Sequence, residues 1–174
     1  MKLVFDTETT GLIQPDNAPL EAQPRIIEVG LVVCDDDWTI KEKFNIMIHP
    51  GFALPEEITK ITGIKDSDLQ GAPSFAGALS EITKRFKGAD SLYAHNLPFD
   101  RTMLVNELRR IGREFAFPYP PEQVCTAAYS EEVYGKRMRL IHLYEDVIGK
   151  PLDQTHRAID DAVALWEVCS KLGL

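Results

Sequence analysis

Lys2-Leu3-Val4-Phe5-Asp6-Thr7-Glu8-Thr9-Thr10-Gly11 stands at the head of the chain, and its reading decides the fold. Leu3, Val4 and Phe5 form a short apolar run that ends at an acid, the pattern of a strand buried in an α/β sheet. Asp6 and Glu8 are two apart, so on an extended backbone both carboxylates project from one face, a shared site for hard cations. Taken alone, such a pair is also what a solvated strand end looks like.

Outward from this segment, Ile26 to Val33 is a second apolar run and a second predicted strand. Phe44, Ile46 and Ile48 alternate with Asn45, Met47 and His49, which predicts a third strand, meandering back beside the second and ended by Pro50 and Gly51. Between the first two runs, Gly11 to Pro24 carries Pro15, Asp16, Asn17, Pro19 and Pro24 and reads as a loop placed to cover the site as a flap.

Further along, Pro55 to Thr62 predicts a short helix stopped by Gly63, and Ser74 opens a longer one with Phe75, Ala78, Leu79, Ile82 and Phe86 on one stripe. Ser91 to Ala94 is a brief strand. Asn96 is expected to cap a helix that accepts Pro98 in its first turn and buries Met103, Leu104, Leu108 and Ile111. Val124 to Tyr134 and Leu140 to Ile148 read as helices separated by Gly135 and the basic Lys136, Arg137 and Arg139, and a last helix runs from about Arg157 to Leu172. Strands first, helices later and alternation between them predict an α/β fold, a mixed sheet with helices on its faces.

The 174 residues, 44% of them hydrophobic, suit one core and one domain over 1–174. No apolar run approaches the roughly 18 residues of a membrane span and no secretory leader is legible, so a soluble, cytoplasmic protein with no membrane partner is expected. Cys34, Cys125 and Cys169 lie too far apart for a zinc site and read as reduced, buried thiols. A formal charge of −8 is the wrong sign for a broad basic face gripping nucleic acid. Four carboxylates that bind two divalent ions would bring that charge to −4 and put positive charge where a phosphate sits.

Three motifs in order change the weight of the first acid pair. Asp6-Thr7-Glu8-Thr9-Thr10-Gly11 is followed near mid-chain by Asn96-Leu97-Pro98-Phe99-Asp100, and near the end by His156-Arg157-Ala158-Ile159-Asp160-Asp161-Ala162. Ala158, Ala162, Leu165 and Cys169 trace one apolar face of the last helix, with Asp161 nearer its edge and Asp160 towards solvent. His156 and Asp161 are five residues apart, about 140° around an ideal helix, so they reach one centre only if His156 precedes the regular turns, on a loop expected to be mobile.

On these motifs the chain resembles the DnaQ-like (DEDDh) 3′-to-5′ exonucleases, a group that includes the proofreading exonuclease subunits of bacterial DNA polymerase III. The resemblance spans nearly the whole chain and implies a ribonuclease H-like fold. It implies metal ligands at Asp6, Glu8, Asp100 and Asp161, with Asp6 bridging, and His156, not tyrosine, as general base. Two divalent cations, Mg²⁺ or Mn²⁺, suit such oxygen ligands and the hydrolysis of a phosphodiester. An imidazole ordinarily titrates near neutrality, which fits proton removal from water.

The resemblance also implies that Thr9, Thr10, Gly11 and Leu12 receive the terminal nucleotide, with Leu12 as an apolar wedge and the threonines near the 3′-hydroxyl. Ile61 and Thr62 would pack on the base, and Asn96 and Phe99 would border the cleft, although a helix stop, a capping asparagine and a core phenylalanine explain these four without a ligand. The partner is then a nucleic acid 3′ end, single-stranded DNA first and RNA as the alternative, with a DNA polymerase or replication protein as an admissible second partner. A non-catalytic binding module is disfavoured because binding alone does not require the acids and His156. The chain stops after its last helix, without the polymerase-binding tail of proofreading subunits, which argues against a tethered proofreading role. Lys84, Arg85 and Lys87, with Arg109, Arg110 and Arg113, read as solvated helix faces.

Overall fold

The computed structural model describes residues 1–174. Its frame is a five-stranded sheet in the order β3-β2-β1-β4-β5. The central strand β1 (Lys2–Thr9) pairs antiparallel with β2 (Ile26–Cys34), which pairs antiparallel with β3 (Ile40–Met47). On its other side β1 runs parallel to β4 (Ser91–Ala94), and β4 runs parallel to β5 (Glu122–Cys125). The mixed sheet and the meander are those expected.

Side-chain alternation along β1 and β2 assigns each residue to a layer. Leu3 and Phe5, with Val29, Leu31 and Val33, face α3 (Phe75–Phe86) and α4 (Leu97–Arg110), where Phe75, Ile82, Phe86, Met103 and Leu104 complete one core. Val4 and Val32 face α6 (Leu140–Ile148) and α7 (Ala158–Leu172), closing a second core with Leu143, Leu165, Val168 and Cys169. Each fully buried large side chain contributes roughly 1.5–3 kcal/mol, so both faces of the sheet are strongly held. Asp6 and Glu8 share the parity of Val4 and so belong to the α7 side, whereas Thr7 belongs to the α4 side.

Several boundaries differ from the sequence expectation, for physical reasons. Residues 124–125 are not helical: Val124 and Cys125 pair with Tyr93 and Ala94 in β5, and only Thr126–Tyr134 forms a helix, α5. Pairing across the sheet overrides local propensity here. A short α2 (Asp66–Leu69), too brief to show a period in the sequence, follows α1 (Glu56–Thr62). Asn96 does not cap α4 with its side chain; its backbone is left-handed (φ 65°), which asparagine tolerates better than most residues, and its side chain is used elsewhere. Nor is Gly11 to Pro24 a free flap: Arg110 Nη2 donates to the carbonyls of Leu20 and Gln23, each at 2.8 Å, and ties the segment to α4. The basic residues of that helix are therefore not all a solvated face. All three cysteines are free, Cys34 and Cys169 buried and Cys125 half-buried.

Candidate metal and nucleic-acid site

The strand end and α7 bring three acids together. Carboxylate oxygens of Asp6, Glu8 and Asp161 all lie within 4.8 Å of one another. Asp161 is buried (7% exposed), while Asp160 faces solvent and accepts a 2.7 Å hydrogen bond from the Thr155 hydroxyl, so the helix presents the expected one of the two adjacent acids. Gln154 Nε2 donates to Asp161 Oδ2 at 2.9 Å and orients it.

Asp100 arrives from the other side of the sheet. It sits in the first turn of α4, buried (3% exposed), and accepts a 2.7 Å bond from the Thr7 hydroxyl. Thr7 lies between Asp6 and Glu8 and points to the opposite face, so one strand positions two acids directly and a third through a hydroxyl. Asp100 stands outside the tight trio, yet its charge raises the pKa of Asp6.

The electrostatics are those of too many acids in too little water. Asp6 is held well above the carboxylate range, first by burial and then by the charges of Asp100, Asp161, Glu8 and Glu28. Burial pushes Glu8 up to about 8, with Asp161 adding to it. Asp100 rises to about 7 through burial, against the Thr7 hydrogen bond. Asp161 is raised by burial, partly offset by Gln154 and by His156. Such a cluster is stable with protons or with bound cations, and its all-oxygen donors fit a hard divalent ion, not a soft one.

Docking of α7 on the sheet depends on two β2 residues that sequence reasoning passed over. Gly30 pairs with Asp6, and a Cβ added at Gly30 would lie 2.3 Å from the Ala158 carbonyl carbon. Only glycine lets the start of the helix approach this closely. Two residues away, fully buried Glu28 accepts from Arg157 Nη2 at 2.7 Å, from the Ala158 backbone N–H at 3.0 Å and from Asn45 Nδ2 at 2.7 Å. His156 directly precedes this clasp. It has left-handed backbone (φ 52°) and lies ahead of the first helical turn, as the angular argument requires.

The remaining predicted residues divide. Leu12 is 77% exposed and lines a shallow depression with Gly11, Thr10 and Phe52, itself half exposed and carrying no motif signal. The Thr9 hydroxyl donates to the Gly11 carbonyl at 2.8 Å, and the Thr10 hydroxyl accepts from the Arg25 N–H at 2.9 Å, so both are committed to shaping the turn. Ile61 is half exposed; Thr62 is buried and spends its hydroxyl on the Ile58 carbonyl and the Ile64 N–H. Asn96 is exposed and lines a cavity of about 390 Å³ together with Asp6 and Asp161, while Phe99 packs on the α4-side core. Gln154, His95, Arg137 and Arg139 line the same cavity.

Comparison with known proteins places the chain in a family. A family model described as RNase_T, exonuclease, matches residues 3–169. The DNA polymerase III subunit epsilon of Treponema pallidum (strain Nichols) is 33% identical over 171 residues, 97% of this chain and 72% of that protein. A PolC-type DNA polymerase III of Clostridium perfringens (strain 13 / Type A) is 30% identical over 168 residues, 95% of this chain but only 11% of that protein. Among solved structures, the nuclease domain of 3′hExo, a DEDDh family member bound to rAMP, superimposes with a TM-score of 0.81 at 17% identity, over 98% of this chain and 90% of that one. The fold is thus the ribonuclease H-like arrangement that the motifs implied. No helix is long and apolar enough to cross a membrane.

Proposed function

The chain belongs to the RNase_T exonuclease family, among its DnaQ-like (DEDDh) members, and from that premise we propose that residues 1–174 act as one metal-dependent 3′-to-5′ exonuclease unit. Its substrate is the 3′ end of single-stranded DNA, and its products are 5′-mononucleotides. The observation that carries this reading is the convergence of Asp6, Glu8 and Asp161 within 4.8 Å, with Asp100 tied to the same strand through Thr7.

Asp6, Glu8, Asp100 and Asp161 would hold two divalent cations, Mg²⁺ or Mn²⁺. When bound, such a pair stabilises charge on the attacking and leaving oxygens of a phosphodiester. His156 takes the proton of the attacking water, and its place ahead of α7 leaves the helix free to present Asp161. Gln154 holds Asp161 in orientation. Leu12 is exposed enough to wedge against the terminal base, and the turn through Thr9, Thr10 and Gly11 supports it. Exposed Ile61 offers apolar surface for a base, with Thr62 shaping the helix end behind it; Asn96 and Phe99 border the cleft.

The similarity to a polymerase III epsilon subunit over most of its length favours DNA, a replication or repair setting and a DNA polymerase as partner. RNA is the second reading, supported by the rAMP bound to the structurally similar 3′hExo domain. End-labelled DNA and RNA oligomers, incubated with and without Mg²⁺ or Mn²⁺, test both. Stepwise shortening of DNA from the 3′ end that stops in chelator is the expected result. Preferential shortening of RNA would replace the substrate, and metal-independent or absent cleavage would refute the reading.

A further inference from the structure

A chain of net charge −8 must still find cations for a polyanion beyond its metal site, and four of its nine arginines are engaged elsewhere. Arg157 is paired with Glu28, Arg25 with Glu107, and Arg85 with Glu42 and Glu81, while Arg110 is spent on loop carbonyls. Arg137 and Arg139 differ. Both are exposed and line the cavity that holds Asp6 and Asp161. Arg137 Nη2 donates to Asn96 Oδ1 at 2.9 Å, and Arg137 Nη1 stands a long 3.7 Å from Glu131.

The residue between them is fixed on three sides. The Met138 N–H donates to Ser130 Oγ at 2.9 Å, its carbonyl lies 3.1 Å from His95 Nε2, and its side chain packs on the α7-side core. Burial pushes the His95 imidazole down to about 4, so it is neutral at pH 7. Its Nε2–H then donates to the Met138 carbonyl, and its Nδ1 accepts from the Thr126 hydroxyl at 3.0 Å. Arg137 and Arg139 thus flank a residue whose N–H and carbonyl are both held, and both arginines line the cavity that contains Asp6 and Asp161. The segment is built to present two guanidinium groups from a rigid support.

Resting on the exonuclease reading, we propose that Arg137 and Arg139 form an anion site for the phosphodiester next to the one cleaved, one nucleotide further from the 3′ end. Guanidinium groups suit a phosphate oxygen pair better than a point charge does. The site therefore selects a strand at least three nucleotides long, which has a second phosphodiester, over a lone nucleotide ester.

The test compares wild type, Arg137→Ala/Arg139→Ala and Arg139→Gln on two substrates. One is oligothymidylate; the other is the p-nitrophenyl ester of thymidine 5′-monophosphate, which has a cleavable phosphodiester and no second phosphate. The double variant should raise KM for the oligomer about tenfold and leave kcat/KM for the ester within about twofold. The slope of log KM against log salt should fall by about 0.7, the share of one phosphate on a single strand. Anisotropy of labelled oligothymidylate with Ca²⁺ in place of Mg²⁺ reads the same interaction without turnover, and Arg139→Gln should weaken it even if the double variant misfolds. An unchanged oligomer KM, affinity and salt slope would overturn the proposal, as would equal loss on both substrates, which would put the arginines at the cleaved phosphate. Wild type that binds oligomer through these arginines yet cleaves neither substrate would instead refute the exonuclease reading.

Discussion

Arg157 grips Glu28 with two bonds, Nε to Oε2 at 3.1 Å and Nη2 to Oε1 at 2.7 Å, across 129 positions of sequence. The pair joins the strand facing Glu8 to the residue between His156 and α7, so it sets the relative position of strand acids, helix acid and imidazole. Arg157→Lys should keep the charge, lose the bidentate geometry and lower kcat on the order of 10- to 100-fold, as loss of an outer support of a metal site typically does. Arg157→Ala leaves a buried carboxylate unpaired and should cost about 3 kcal/mol of stability. Denaturant melts and steady-state kinetics on both variants check this; full activity in Arg157→Lys would remove the positioning role.

Gly30→Ala probes the same docking from the other partner. Its methyl would meet the Ala158 backbone, which cannot rotate away, so α7 must move off the sheet. A loss of about 1–3 kcal/mol is expected from overpacking, with a fall in activity larger than the remaining folded fraction explains. Thermal melts beside specific activity measure both, and a variant that melts and cleaves like wild type would contradict the close approach.

Acid crowding predicts an unusual pH dependence. Glu8 rises from 4.5 to about 8 and Asp100 from 3.8 to about 7 on folding. Between those values the folded chain keeps protons that the unfolded chain has released, so in chelator stability falls as pH climbs from about 4 to about 8. Mg²⁺ binds the deprotonated acids and should raise Tm more at pH 8 than at pH 5, because it competes with protons at the lower pH. Glu8→Gln should flatten the slope in chelator. Differential scanning fluorimetry decides it: a Tm that rises with pH in chelator, or a slope unaltered by Glu8→Gln, is the contrary result.

His156 separates chemistry from metal affinity. His156→Ala should lower kcat about 10²- to 10⁴-fold, the usual contribution of a general base, and leave Mn²⁺ affinity in place. A titration of Mn²⁺ into the variant that showed affinity collapsing with activity would make His156 a ligand instead.

Local chemistry makes much of this legible from residues alone. Asp6 and Glu8 can be paired because strand parity is strict, and Asp161 can be chosen over Asp160 because the apolar face of α7 is dense. Glu28 and Gly30 leave a faint signal: a charge and a glycine inside Ile26–Cys34, where a buried acid needs a partner and a strand glycine marks a close approach. What they meet is not readable, because Arg157 and Ala158 lie far away in sequence. Asn96 misleads for a related reason: asparagine suits both a helix cap and a left-handed turn, and only Arg137, 41 residues on, decides where its side chain goes. The strand β5 escapes a sequence reading because, unlike the equally short β4, it opens on the polar Glu122 and Gln123 and runs directly into α5.

The central claim is that acids from both ends and the middle of the chain hold a pair of ions, and counting bound metal tests it most directly. Calorimetric titration of Mn²⁺ should give two ions per chain for the wild type and fewer, more weakly held, for Asp6→Asn and for Asp161→Asn, with both variants folded. A wild-type chain that takes up no Mn²⁺, or an Asp6→Asn variant that binds two ions as tightly, would contradict it.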